Sequence, residues 1–228
     1  MERAVSKRVN GFRLDLGAIA ASLRSVQRRL PLLNHELKPH RELMDDEVVE
    51  NLLSAYELVG QLLEARIELF SVGSSFYFLE LNNRVLCGTD PERRREFKKH
   101  TAATYRNFYE RTDAGIQDLM EWYALHRHES VWDRAAGVYI RIVCEPQAFI
   151  EGNDRTGTLV MSYLLAKEGY PPFVLSAENA KAYFDLSARV KQLPRNGFSS
   201  LFRLPFLKSR IAGFLRNQAE MASLPCGQ

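Results

Sequence analysis

The segment at residues 144–165, CEPQAFIEGNDRTGTLVMSYLL, carries residue types that suit phosphate binding. Within it the polar residues 151–155 (EGNDR) stand directly before a run with helical periodicity. Unpaired N–H groups at a helix start carry partial positive charge, and glycine lets the backbone approach a phosphate closely. Arg155 would add a positively charged fork in the first turn. These residues predict an anion site; the alternative is a tight connection between two helices, with Asn153 as its N-cap.

A carboxylate beside such a loop is a candidate metal ligand. Glu151 could hold a magnesium ion shared with phosphate oxygens, because proteins bind magnesium through one or two carboxylates and the phosphates of a substrate. In the alternative interpretation, Glu151 is a solvated surface residue. Glu145 could act as a base if it were removed from water, whereas Cys144 is predicted to be a small buried apolar residue.

Three residues upstream of the loop are predicted to have no catalytic role. His126 and His128 are two residues apart, so on a helix they would point to different sides and would not form a metal pair. Arg141 could face an anion, but a solvated position is the expected one.

The string FIEGNDRTG, at residues 149–157, resembles the signature of the Fic (Fic/Doc) family. The usual signature of that family is His-Pro-Phe-x-Asp/Glu-Gly-Asn-Gly/Lys-Arg, followed after two residues by a second Arg. The preceding RAAGVYIRIVCEPQAF also aligns without gaps to the helix that leads into the signature, and the resemblance covers roughly residues 90–185. It implies an all-α, Fic-like helical domain, here with a helical N-terminal extension.

Most Fic proteins transfer AMP from ATP to a hydroxyl side chain of a target protein, with the signature histidine as the general base. The resemblance therefore implies ATP and magnesium as cofactors and Glu151 as the metal ligand. It also implies a protein target or an antitoxin-like partner, and it makes Phe149 a buried anchor of the loop. The positions that it assigns to nucleotide binding are Gly152, Asn153, Asp154, Arg155 and Gly157.

Several residues depart from the family signature. Gln147 occupies the histidine position, and a carboxamide has no titrating nitrogen that could serve as a base. Ala148 replaces the proline, which is expected to loosen the loop. Asp154 puts a negative charge beside the phosphates, and Thr158 removes the second arginine. Residues 100–114, where the family has a β-hairpin that aligns the substrate, are predicted to be helical.

We therefore predict a degenerate Fic-domain protein that keeps a nucleotide-binding loop but lacks standard AMPylation. The alternative is an active nucleotidyl- or phosphotransferase that acts on protein hydroxyls with a non-standard base. A third hypothesis, an accessory protein for nucleic acids, depends only on the basic N-terminus.

The elements that would position the loop are predicted to be helices, with one ambiguous segment at residues 76–88 that could be a strand. Three regions are expected: a helical extension (1–88), a Fic-like core (89–192) and a C-terminal helical segment (193–228). The basic apolar stretch at residues 198–218 could lie on a membrane or a partner, but packing against the N-terminal helices is expected. The predicted helices cover residues 14–30, 45–70, 90–110, 112–123, 130–144, 155–169, 176–192 and 209–221.

The overall composition narrows the class of protein further. With 46% hydrophobic and 26% charged residues, the 228-residue chain cannot be wholly disordered. A formal charge of +3 gives no general argument for a nucleic-acid partner. Three cysteines without metal-ligand spacing fit a reducing compartment, and no apolar run reaches the roughly 20 residues that span a membrane. We expect a cytoplasmic, bacterial protein.

Overall fold

The computed structural model describes residues 14–197 and 200–223, so Cys226 and the basic residues 1–13 lie outside the described part. Within these ranges the chain is helical and has no β-strand, which confirms the all-α prediction. The helices are α1 (Leu16–Leu33), α2 (Asp46–Glu64), α3 (Phe76–Cys87), α4 (Pro91–Glu96), α5 (Lys98–Glu110), α6 (Ile116–Leu125), α7 (Val131–Val143), α8 (Asn153–Lys167), α9 (Ala180–Lys191) and α10 (Ser200–Ser223).

The centre of the fold is the pair formed by α7 and α8. Most of α8 is buried, including its polar residues Asn153, Thr156, Thr158 and Ser162, which is typical of a helix surrounded by others. Ser162 is completely buried, and its hydroxyl donates to the carbonyl oxygens of Thr158 and Phe173 at 2.9 and 2.6 Å. Gly157 of α8 faces Tyr139 of α7, where an added Cβ would lie 2.9 Å from the ring. Small residues therefore let the two helices approach closely.

One continuous hydrophobic core connects the first and last helices. Leu23 and Leu30 of α1 belong to the buried core, as do Leu207 and Leu215 of α10. The prediction that α10 packs on the N-terminal helices is wrong, because α10 packs on α7 and α9. No helix in the described part is long and apolar enough to cross a membrane.

Two helix ends in the first half of the chain differ from the sequence prediction. Pro31 does not end α1, which continues to Leu33, because the lost hydrogen bond falls within the final turn. The α2 helix ends at Glu64, well before Phe70, because Arg66 adopts a left-handed φ of 54°. The ambiguous segment is the helix α3, and the predicted helix at 90–110 is divided at Phe97 into α4 and α5.

The starts of four later helices also differ. Thr112 and Asp113 do not cap α6, which begins at Ile116 after Gly115, because Asp113 pairs with Arg111 at 3.0 Å instead. The α8 and α9 helices begin at 153 and 180, not at 155 and 176. The α10 helix begins at Ser200 and contains Pro205, because the helix is held further along, where Leu207 and Leu215 are buried, and the proline removes only one hydrogen bond near its start.

The segment between α1 and α2, residues 34–45, is held in a turn by one of its own side chains. The Nδ2 of Asn34 donates to the carbonyl oxygen of Arg41 at 2.7 Å, and the Arg41 N–H donates back to the Asn34 Oδ1 at 2.9 Å. These two bonds close residues 34–41 into a compact turn. We call residues 34–45 the α1–α2 connection.

The contact between α6 and α7 gives a direct stability test. A Cβ added to Gly137 in α7 would lie 1.9 Å from the Trp122 ring of α6. We expect Gly137→Ala to lower the free energy of unfolding by about 1–3 kcal/mol in urea denaturation, because the indole must move out of a packed core.

The matched control is Gly213→Ala in α10, where the added Cβ meets nothing within 4 Å. This variant should be neutral or stabilised by up to about 1 kcal/mol, since alanine favours a helix over glycine. Equal stability of the two variants would contradict the packing of α6 on α7.

Candidate functional site

The α7–α8 loop (residues 144–152) is fixed by two carboxamide side chains. The Nε2 of Gln147 donates to the carbonyl oxygen of Val143 at 3.1 Å, and the Oε1 of Gln147 accepts from the Nδ2 of Asn153 at 3.0 Å. Asn153 is 4% exposed and bonds both the N–H and the carbonyl oxygen of Phe149, at 2.9 and 2.8 Å. Buried polar groups are stable only when bonded, and here they bond the loop to itself.

The hydrogen bonds of Ala148 contradict the prediction that the loss of the signature proline loosens the loop. Its N–H donates to the carbonyl oxygen of Ile142 at 3.1 Å, a bond that proline could not make. Its carbonyl oxygen accepts from the Nδ2 of Asn107 in α5 at 3.2 Å. The neighbouring Phe149 is buried as predicted and stacks on Phe108 with 5.0 Å between ring centroids. Helix α5, which confirms the prediction that most of residues 100–114 are helical, therefore holds the loop from one side.

The start of α8 requires glycine at position 152. Gly152 has a φ of 74°, in the left-handed region that favours glycine. An added Cβ would also lie 2.9 Å from the Nδ2 of Asn82, which donates to the carbonyl oxygen of Glu151 at 2.8 Å. The N-cap residue of α8 is Gly152, which has no side chain that could accept a hydrogen bond from the first N–H groups of the helix. These N–H groups keep the partial positive charge of a helix N-terminus.

A cavity of about 490 Å³ lies over this helix start, which is within the usual size of small-molecule sites. Its apolar wall comes from α1 and α2, and includes Leu23, Leu52 and Tyr56. Its charged residues come from the α1–α2 connection, the α7–α8 loop, α8 and α9. They are Arg41, Glu42, Glu151, Asp154, Arg155 and Lys191.

Arg155 is the positively charged residue that the sequence predicted in the first turn of α8. It is partly buried, and one guanidinium nitrogen donates to the carbonyl oxygen of Val85 at 3.3 Å. Burial lowers the pKa of Arg155, while the nearby Glu151 and Glu42 raise it. Because arginine stays charged in proteins and carries five N–H donors, Arg155 keeps donors for a ligand in the cavity.

Asp154 makes the largest set of polar contacts at the site. Its carboxylate accepts from the Tyr139 hydroxyl at 2.8 Å and from the Ser187 hydroxyl at 2.7 Å. It also pairs with Arg41 at 3.3 Å and with Lys191. Burial, and then the charge of Asp154, raises the pKa of Tyr139 well above its ordinary value, so this hydroxyl remains a donor. Two cations and two hydroxyls therefore offset the negative charge that sequence reasoning placed against the phosphates.

Sequence reasoning missed Arg41. Its Nη2 donates to the carbonyl oxygen of Phe184 at 2.8 Å, and its guanidinium lies 5.0 Å from the Phe184 ring centroid. The Nε of Arg41 is buried and has no hydrogen-bond partner. No local pattern in the α1–α2 connection signals this role, because the contacts of Arg41 lie more than 100 residues away in sequence.

The remaining predicted site positions separate into two groups. Glu151 is exposed and lines the cavity, together with Gly152, Asn153 and Gln147. Gly157 is buried in α8 against α7 and does not line the cavity. Within the described ranges, no group of three or more His, Cys, Asp or Glu side chains could hold a metal ion. A magnesium ion at Glu151 would therefore need oxygens from a bound phosphate.

The other reactive residues near the loop lie outside the cavity. Cys144 is completely buried, and burial raises the pKa of its thiol, which favours a packing role. Glu145 is exposed, and its carbonyl oxygen accepts from the N–H of Arg195. The prediction that Arg141 is solvated is wrong, because it forms an ion pair with Asp118 at 3.1 Å.

The two histidines upstream of the loop are held by their neighbours in sequence. The ring of His126 stacks on Trp122 with 4.1 Å between centroids, and His128 accepts from the Nε of Arg127 at 3.1 Å.

Residues 74–165 match the family model described as the Fic/DOC family. The chain contains a Fic/DOC domain. The matched segment includes α3, the α7–α8 loop and most of α8, so the cavity and its uncapped helix start belong in part to that domain.

Among solved structures, the chain is similar to Fic-1 from C. elegans, with 16% sequence identity and a TM-score of 0.47. That similarity covers 89% of this chain and 59% of the Fic-1 chain, so this chain spans well under two thirds of the solved relative.

The contacts of Asp154 predict an effect on stability. We expect Asp154→Asn to lower the free energy of unfolding by about 1–3 kcal/mol in thermal or urea denaturation, because it leaves the partly buried Arg41 without its ion pair.

The matched control for Asp154→Asn is Glu50→Gln. Glu50 also pairs with an arginine, Arg24, but the two side chains are 60% and 41% exposed. This control should cost less than about 1 kcal/mol. If Asp154→Asn lowered the free energy of unfolding no more than Glu50→Gln does, the result would contradict a stabilising role for the contacts of Asp154.

Proposed function

We propose that this protein binds a nucleotide, with ATP as the first candidate, in the cavity above α8 and that it lacks standard AMP transfer. One observation carries the proposal. The uncapped start of α8 and the Arg155 side chain line a cavity of about 490 Å³, and Gln147, at the position that the resemblance assigns to the signature histidine, lines it too.

The phosphate end of the ligand fits the start of α8. N–H groups at a helix N-terminus and an adjacent arginine together form a common phosphate site. Leu23, Leu52 and Tyr56 on the opposite wall are apolar or aromatic and would cover the base of a nucleotide. The proposed ligand is therefore amphipathic, with a charged end at α8 and a flat ring against α1 and α2.

Magnesium fits the site only together with phosphate. Glu151 supplies one exposed carboxylate, and magnesium in phosphate sites is commonly held by one or two carboxylates plus substrate oxygens. When bound, the ion would neutralise part of the phosphate charge. In the proposal, Glu151 would hold the ion, and with it the phosphate, next to Arg155.

The loss of AMP transfer follows from the missing base. The carboxamide of Gln147 cannot take a proton near neutral pH, and it is bonded to Val143 and Asn153. Losing a positioned base typically costs about 10²- to 10⁴-fold in rate. The nearby carboxylate of Asp154 does not replace it, because two hydroxyls and two cations already occupy its oxygens.

The alternative is an active nucleotidyl- or phosphotransferase with a non-standard base. It would depend on Glu151, an exposed carboxylate that lines the cavity. In either case we propose that the partner is a protein, either a target or an antitoxin-like protein, and that the protein is cytoplasmic.

Nucleotide binding is tested by calorimetry with ATP and magnesium. We expect saturable binding by the wild-type protein and an affinity lower by about 10- to 100-fold in Arg155→Ala, because a charge-assisted hydrogen bond is lost. Arg127→Ala is the control, since Arg127 is exposed and lies outside the cavity lining. No binding by the wild type, or equal affinity in both variants, would refute the assignment of the phosphate site.

Loss of AMP transfer is tested with ATP labelled on its α- or γ-phosphate, with magnesium and a cell lysate. We expect no label on the protein itself or on lysate proteins, because Gln147 cannot accept a proton from a target hydroxyl. Label that appears with the wild type and disappears with Glu151→Ala would establish the alternative transferase. The calorimetric result then decides separately whether nucleotide binds.

A further inference from the structure

The first two turns of α10 expose large apolar side chains. Leu201, Phe202 and Phe206 are 68%, 71% and 58% exposed. The apolar residues that join α10 to the core lie further along the helix and are buried, as are Leu207 and Leu215 at 5% and 1%. The exposed apolar residues therefore form a separate ridge, which we call the α10 ridge (residues 201–206).

The charged residues that α10 itself places along and after the α10 ridge are positive. From Ser200 to Ala219 the helix contains one lysine and three arginines and no acidic residue. Lys208 is paired with Glu129 at 2.7 Å, whereas Arg203, Arg210 and Arg216 are exposed. The guanidinium of Arg210 lies 5.8 Å from the ring centroid of Phe206, so positive charge and aromatic surface are adjacent.

We propose that the α10 ridge binds the surface of an anionic lipid bilayer. Leucine and phenylalanine side chains enter the boundary between headgroups and acyl chains, while arginines on the same helix contact anionic headgroups. In this arrangement Leu201 and Phe206 enter the boundary and Arg203 and Arg210 bind headgroups. The binding is peripheral, with the helix lying on the membrane.

The charge of the α10 ridge argues against its main alternative, a second copy of this chain. A two-fold symmetric contact through this ridge would bring the arginines of one copy close to the same arginines of the other, which is unfavourable. The ridge is also the convex outer side of a helix, and a flat, deformable surface fits it without a complementary groove. An anionic bilayer meets both conditions.

The test is co-sedimentation of the full chain with lipid vesicles. One set contains phosphatidylcholine alone and the other equimolar phosphatidylcholine and phosphatidylserine. We expect binding to the second set only, and weaker binding as salt is raised, because salt screens the attraction between arginine and headgroups. The experiment requires no nucleotide, so its result is independent of the proposed function.

Two variants separate the apolar and the charged contributions. Leu201→Ser with Phe206→Ser should lower vesicle affinity by about tenfold or more. Arg203→Gln with Arg210→Gln should lower it by about 25-fold, from about fivefold for each arginine. All four residues lie on the exposed side of α10, so the variants should unfold at the temperature of the wild type.

The controls are matched in exposure and in charge. Leu32→Ser with Val72→Ser removes side chains that are 72% and 102% exposed elsewhere, and Arg95→Gln with Arg106→Gln removes the same charge from α4 and α5. Both should keep wild-type vesicle affinity. An equal loss in a control, or equal binding to neutral vesicles, would overturn the proposal.

Two further outcomes would assign the ridge to another occupant. No sedimentation with either vesicle would overturn the bilayer proposal and point to an acidic protein surface. A dimer in solution that is lost in Leu201→Ser with Phe206→Ser would assign the ridge to a second copy of this chain.

Discussion

The carboxylate of Asp154 connects the parts of the molecule that form the cavity. It binds Tyr139 from α7, Ser187 and Lys191 from α9, and Arg41 from the α1–α2 connection. These elements are far apart in sequence and meet at the first turn of α8. An acidic residue is also favourable there, because it faces the positive end of the helix dipole. One carboxylate therefore holds α7, α9 and the α1–α2 connection at the start of α8, and the last two of these line the cavity through Arg41 and Lys191.

The contacts of Asp154 also decide which positively charged residues of the cavity are already paired. Thr158 stands where the family signature has a second arginine, and its hydroxyl bonds the carbonyl oxygen of Asp154 at 2.9 Å. Positive charge is nevertheless present, because Arg41 and Lys191 reach the cavity from outside the matched segment. Both cations are paired with Asp154, so a ligand phosphate would have to compete for them. Arg155 has no carboxylate at hydrogen-bond distance among the described residues, so it is available to a ligand.

Local patterns predicted the fold class and the loop, while contacts between distant residues were not predictable. The periodicity of α7 and its Ser130 cap are visible in sequence, because both arise within one helix. The resemblance to the family signature predicted the buried Phe149, whereas the start of α8 was predicted at residue 155 and lies at Asn153. Arg41 could not be predicted, since its role depends on contacts with α8 and α9 alone. Pro31 and Pro205 misled the prediction because each removes a single hydrogen bond near one end of its helix, while residues further from that end are buried in the core.

Gln147 and Ala148, which differ from the His-Pro pair of the family signature, both bond to the end of α7. The last carbonyl groups of a helix lack partners within it, and those of Ile142 and Val143 accept from the Ala148 N–H and the Gln147 Nε2. The two residues that differ from the catalytic His-Pro pair therefore close the end of α7. A proline at 148 would remove the first of these bonds. In the function proposed above, the same two positions would hold the phosphate-binding loop on the end of α7 and leave it without the proton acceptor of the family signature.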